Sequence, residues 1–292
     1  MTADPIYLTY DRVALDAQYN NQRRVPDFDA HVARWQKESA RVRAALPGER
    51  DVAFGPSAEE VLDIYSPAKA SGPAPVQVFY HGGYWRSFKA ADFAFVAERM
   101  AEAGALVVIV NYALVPVVRI GELVRQCRAA LAWVHANIAR YGGDPNRIFV
   151  SGHSAGGHLT AMALAHDWEK AALPQDLIKG AVVTSGVFDL DVVAHLSVQQ
   201  EIQMTPEIAR ANDPLTHPPL VHCPVVVAVG GAEPKGWQQM SQDYFNYCKQ
   251  QGMKADYLVI PGANHYTMSE NMLDANSSLS QAMLGQMKLQ TQ

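Results

Sequence analysis

The chain has 292 residues, 49% of them apolar and 18% charged, a globular composition that can bury a large core as one α/β domain. Net charge is -5 and no basic run exceeds the pair Arg23-Arg24, which argues against nucleic acid as a partner. The longest apolar stretch, residues 103–112, is too short to span a membrane, so no membrane partner is expected.

In chain order, residues 1–5 lack the basic and apolar regions of a signal peptide. The first fifty residues are more polar and partly helical, with Phe28, Val32 and Trp35 at helical spacing behind Pro26. Residues 51–54 and 60–65 predict an antiparallel pair around Gly55-Pro56-Ser57, and a Pro/Gly-rich connection, 67–75, closes that section. Strands then follow at 76–80, 105–111, 147–150, 180–184, 224–230 and 255–260. They alternate with helices at 90–103, 120–141, 157–164, 237–251 and 273–289. That alternation implies an α/β fold, a mainly parallel sheet with helices on both faces.

Residues 191–222 break the pattern, being partly polar and carrying Pro206, Pro214, Pro218 and Pro219. Inserts of this kind lie over active sites. The chain therefore reads as a helical segment, 1–50, ahead of an α/β domain, 51–292, with the segment and the insert 191–222 forming a small cap. Cys127, Cys223 and Cys248 are widely spaced and odd in number, as expected of reduced thiols in a cytoplasmic protein. No Cys/His cluster has zinc-ligand spacing, so no zinc site is expected.

The chemistry starts at Gly152-His153-Ser154-Ala155-Gly156, directly after the apolar run Ile148-Phe149-Val150 and before a helix-forming run. This is G-x-S-x-G in the strand–turn–helix context of an α/β-hydrolase nucleophile elbow. A serine hydroxyl is a poor nucleophile at neutral pH and needs a histidine base, itself oriented by a carboxylate. In this fold the chain order is Ser, then Asp/Glu, then His. His265, in the loop Pro261-Gly262-Ala263-Asn264-His265 after the last strand, is the expected base. His158, His166, His195, His217 and His222 read as surface or packing histidines. For the acid, Glu233 follows the strand 224–230, and its rival Asp189 follows an earlier one. Strand order favours Glu233, with Asp189 bracing a loop.

Attack on a carbonyl builds charge on its oxygen, which needs preorganised N–H donors. His81-Gly82-Gly83-Tyr84-Trp85 follows the first parallel strand, where the H-G-G-G type of motif sits. The amides of Gly83, Tyr84 and Ala155 are assigned as the oxyanion hole, with Trp85 and His153 as walls of the substrate pocket.

These motifs resemble those of α/β-hydrolases of the esterase/lipase type. More narrowly, they resemble the serine-dependent kynurenine formamidase (arylformamidase) group. H-G-G-x-W at His81 to Trp85, the extended elbow from Gly152 to Leu159, and Gly230-Gly231-Ala232-Glu233 followed by Trp237 carry that likeness, over roughly 61–266. Two departures stand out: a glutamate where aspartate is common, and Tyr84 in place of the fourth glycine, which narrows the pocket. The resemblance implies hydrolysis of an N-formyl aryl amine or a small ester through an acyl-enzyme, with Ser154, His265 and Glu233 in the three roles and no metal or organic cofactor. Bulky Tyr84 and Trp85 would favour a formyl or acetyl group. Tyr19, Phe28 and Trp35, with the insert around Met204 and Leu215, either cover the leaving-group pocket or pack the first segment onto the domain. The alternatives are a carboxylesterase of another small substrate and, in a different class, a non-catalytic ligand-binding member of the fold. A homodimer is left open.

Overall fold

The computed structural model describes residues 5–69 and 72–290, so the start of the chain and residues 70 and 71 of the 67–75 connection lie outside the described residues. Three helices come first: α1 (Arg12–Tyr19), α2 (Asn21–Arg24) and α3 (Phe28–Ala45). The hairpin β1 (Gly48–Ala53) and β2 (Val61–Tyr65) leads into β3 (Ala74–Tyr80), α4 (Ala97–Glu102), β4 (Leu106–Val110) and α5 (Ile120–Asn137). Next come β5 (Gly143–His153), α6 (Ala155–Leu164) and β6 (Ile178–Thr184), then α7 (Gln199–Ile202) and α8 (Pro206–Asn212) in the insert. The chain closes with β7 (Val225–Gly230), α9 (Lys235–Gln250), β8 (Ala255–Ile260), α10 (His265–Glu270) and α11 (Ser278–Gln286).

The strands form one 8-stranded sheet in the order β1-β2-β4-β3-β5-β6-β7-β8. β2 is antiparallel to β1 and to β4, and every other pairing is parallel. The central strands β3, β4 and β7 are buried along their whole length. They are apolar almost throughout because helices cover both faces. Alternation along each strand splits the core in two. Val76, Val78 and Tyr80 join Leu123, Leu131 and Leu159 on one face. Phe79, Val107 and Ile109 join Trp35, Met268 and Leu284 on the other.

Two helices differ from expectation. The first part of 90–103 winds as a 3-10 turn, Ala90–Val96, before α4 begins. The closing helix expected at 273–289 is instead a short turn, Asn271–Leu273, and α11. Ser277 is the reason: its hydroxyl accepts from the Ser280 amide and sets a new helix start. In the insert, α8 packs against α5, Met204 is buried and Leu215 packs on the core. Cys127, Cys223 and Cys248 are buried free thiols. Among the described residues, no helix is long and apolar enough to cross a membrane.

Candidate active site

The carboxyl ends of β3, β5, β7 and β8 lie along one edge of the sheet, where open α/β sheets bind ligands. The turn after β5 is the tightest. Ser154 sits at φ 58°, ψ -120°, between the last strand residue and the first residue of α6. A non-glycine residue held at positive φ costs on the order of 1–3 kcal/mol and needs its surroundings to impose it. Here the Ser154 amide donates to the Thr184 carbonyl at 2.9 Å on β6, and two glycines remove the obstacles. A Cβ at Gly152 would stand 2.1 Å from the Gly156 carbonyl oxygen, and one at Gly156 would stand 1.9 Å from that of Tyr80. Gly156→Ala is therefore expected to push α6 off β3. The expected cost is about 3 kcal/mol, read as a fall in Tm on the order of 6–12 °C. An unchanged melting curve would show that the helix gives way freely.

Ser154, His265 and Glu233 are all buried, and they are joined in series. His265 Nε2 lies 3.0 Å from Ser154 Oγ, and His265 Nδ1 lies 2.6 Å from Glu233 Oε1. The other carboxylate oxygen of Glu233 accepts from the Gly230 amide and the Ser185 hydroxyl, each at 2.7 Å. Trp237 packs its indole 4.6 Å from the His265 ring and donates Nε1–H to the Ser185 carbonyl at 3.0 Å. Asn264 starts α10 by accepting from the amides of Tyr266 and Thr267, which fixes His265 at the first helical position. Asp189 does not meet His265; it accepts from the Tyr7 hydroxyl at 2.7 Å and the Asp191 amide at 3.0 Å.

The loop after β3 turns back on itself through three consecutive positive φ angles, 119° at Gly83, 50° at Tyr84 and 57° at Trp85. Among the described residues, no hydrogen bond uses the amides of Gly83, Tyr84 or Ala155. The Ala155 amide is an unpaired donor at a helix start. His81 braces this loop. Its ring stacks 4.2 Å from Tyr112, and Nδ1 donates to the Gly82 carbonyl at 2.8 Å. Burial pushes its pKa down to about 4, with the Gly82 bond opposing, so the ring is neutral at physiological pH.

A cavity of about 50 Å³ opens at Ser154. Phe28, Trp35, Phe88, Phe93 and Tyr266 form an aromatic side, and Asn21, Gln22 and Arg86 a polar one, with His153, Ser154 and His265 also in the wall. His153 and Tyr84 line the cavity. Trp85 does not: its indole is wholly buried and donates to His158 Nδ1 at 3.2 Å, while His158 Nε2 bonds the Asn212 carbonyl at 2.7 Å. A left-handed backbone at Trp85 turns the side chain under the loop rather than into the cavity. Met204 and Leu215 of the insert are not in the wall either, whereas Phe28 and Trp35 are. Tyr19 packs on Trp237 and accepts the Tyr84 hydroxyl at its carbonyl, 2.6 Å away.

Sequence reasoning missed Asn21, Gln22, Arg86 and Ser185. Only Ser185 carried a local signal, standing directly after a predicted strand. The insert instead holds the first segment in place: Glu201 bonds Arg86, which bonds Gln22, and Ser197 bonds Asn20 and Asp16. Among the described residues, no cluster of three or more His, Cys, Asp or Glu could hold a metal ion.

The BD-FAE family model matches residues 62–207, half of the chain. That span holds Ser154 and the loop at His81 but stops short of Glu233 and His265. The kynurenine formamidase of Danio rerio is 28% identical over 92% of this chain and 94% of its own length. That of Salmo salar is 29% identical over 93% of each. A solved structure from Silicibacter sp. TM1040, assigned as a thioesterase, is 27% identical with a TM-score of 0.78, covering 89% of this chain and 95% of that one.

Proposed function

The chain belongs to the BD-FAE family, and from that premise we propose a cytoplasmic serine hydrolase that cleaves small esters and aryl formamides through an acyl-enzyme. The observation that carries this reading is the unbroken series Ser154–His265–Glu233 beside three unused amides at the base of an aromatic cavity. Ser154 Oγ attacks the carbonyl carbon while His265 Nε2 takes its proton. Glu233 holds the Nδ1–H of His265, fixing the tautomer and stabilising the imidazolium. The carbonyl oxygen becomes an oxyanion and accepts from the amides of Gly83, Tyr84 and Ala155. The C–N or C–O bond then breaks as His265 returns the proton to the leaving amine or alcohol. Water, deprotonated by the same histidine, attacks the acyl-enzyme and releases the acid and free Ser154.

The formamide substrate class rests on the two formamidase relatives, which span nearly the whole chain, and on the aromatic wall, which suits an aryl leaving group. The direct test is kcat/KM for N-formylkynurenine beside phenyl acetate. Preference for the formamide supports the reading, and turnover of the ester alone reduces it to an esterase. The limited space at Ser154 gives a further expectation. Acetyl esters should be hydrolysed at least about tenfold faster than butyryl esters of the same alcohol, the equivalent of one to two poorly accommodated methylenes. Equal or faster butyryl turnover, measured as kcat/KM, removes the small-acyl assignment.

A further inference from the structure

Four side chains in the cavity wall keep buried polar atoms without hydrogen-bond partners among the described residues: Asn21 Nδ2, Trp35 Nε1, Arg86 Nε and both ring nitrogens of His153. The first three atoms only donate. A neutral imidazole carries one donor and one lone pair, so His153 supplies the acceptor in this set. Unpartnered buried polar groups are rare, and each calls for an explanation: strain, an ordered water or a bound partner.

His153 is 2% exposed, and its ring centroid lies 4.6 Å from that of His265. A Cβ at Gly82 would stand 3.2 Å from its Nδ1. The ring therefore sits between the loop assigned to the carbonyl oxygen and the imidazole assigned to the leaving group. Burial holds its pKa well below the ordinary imidazole value and His265 adds to the shift. The nearby His265 carbonyl opposes it without reaching bonding geometry. The lone pair is thus unprotonated at neutral pH.

Amides and esters differ at this position. As the tetrahedral intermediate forms, an amide nitrogen pyramidalises and turns its lone pair toward His265 to receive the proton. Its N–H then points elsewhere and loses free energy if it meets no acceptor. An ester oxygen has no such hydrogen. Building on the formamide reading above, we infer that His153 is a specificity-determining residue: it accepts a hydrogen bond from the scissile N–H of a secondary formamide and so favours amide over ester cleavage.

The test compares formanilide, N-methylformanilide and phenyl acetate with the wild-type enzyme, His153→Phe and His153→Asn. His153→Phe should lower the ratio of formanilide to phenyl acetate kcat/KM by about 10- to 100-fold, the effect of one unsatisfied N–H. N-methylformanilide, which has no N–H, should follow the ester. His153→Asn, which restores an acceptor, should recover part of the ratio. A parallel fall on all three substrates, or an unchanged ratio, overturns the inference. If the phenylalanine variant is inactive throughout, the ratio for His153→Asn decides: kept above that of N-methylformanilide it supports the role, and collapsed to it overturns the role. A wild-type enzyme that cleaves phenyl acetate and leaves formanilide intact overturns the formamide reading and this inference together.

Discussion

Replacing Ser154 by alanine is expected to lower kcat/KM for every substrate by about four to six orders of magnitude, with the fold intact. The substitution deletes the one atom that bonds His265 Nε2 and leaves the cavity wall otherwise unchanged. The Ser154 hydroxyl makes no capping bond to α6, so stability should change by no more than about 1 kcal/mol. Residual activity would come from the unused amides and from binding alone, as happens when one member of a triad is lost. Adding His265→Ala should then cost little more, because the two residues act as one unit. The check is kcat/KM with circular dichroism on the same sample. A loss below tenfold in a folded variant would remove Ser154 from the chemistry and revive a ligand-binding role for the cavity.

The second large effect concerns the choice of acid. Glu233→Gln is expected to lower kcat by about 10⁴-fold. An amide keeps the side chain's shape and leaves an oxygen for Ser185 and the Gly230 amide, so Tm should hold. Its NH₂ group, facing His265 Nδ1, would force the proton onto Nε2, the nitrogen that must accept from Ser154. Asp189→Asn should leave kcat within about threefold, because Asp189 bonds Tyr7 and the Asp191 amide instead. Reversed effects of the two variants would reassign the acid.

Much of the architecture was legible because it is dictated locally. Strands buried on both faces must be apolar, so β3, β4 and β7 announce themselves against amphipathic helices such as α9. Gly152 and Gly156 were readable because a Cβ at either strikes backbone, a constraint that belongs to any turn of this shape. Glu233 and Asp189 could be ranked by strand order, since parallel strands present their ends to one edge. The cavity wall resisted the same approach. Asn21 and Gln22 reach it only after the first segment docks through Tyr84, Arg86 and Ser197, contacts between residues far apart in the chain. Trp85 shows the limit of adjacency: beside the turn in sequence, it is carried under the loop by its positive φ. The break before α11 hung on a single serine cap, too weak a signal against an apolar pattern that ran through it.

The division of labour along the chain has an evolutionary consequence. Residues 62–207, where the family likeness resides, hold the serine and the loop of free amides. Phe28 and Trp35, with Asn21 and Gln22, reach the cavity from outside that span. Mutations that alter what fits can therefore accumulate in the leading helices while the serine and its amide loop stay under their own selection. Descendants of one ancestor can share their reaction and differ in diet, and exchanging the first forty-five residues between two of them is the natural way to trade one appetite for another.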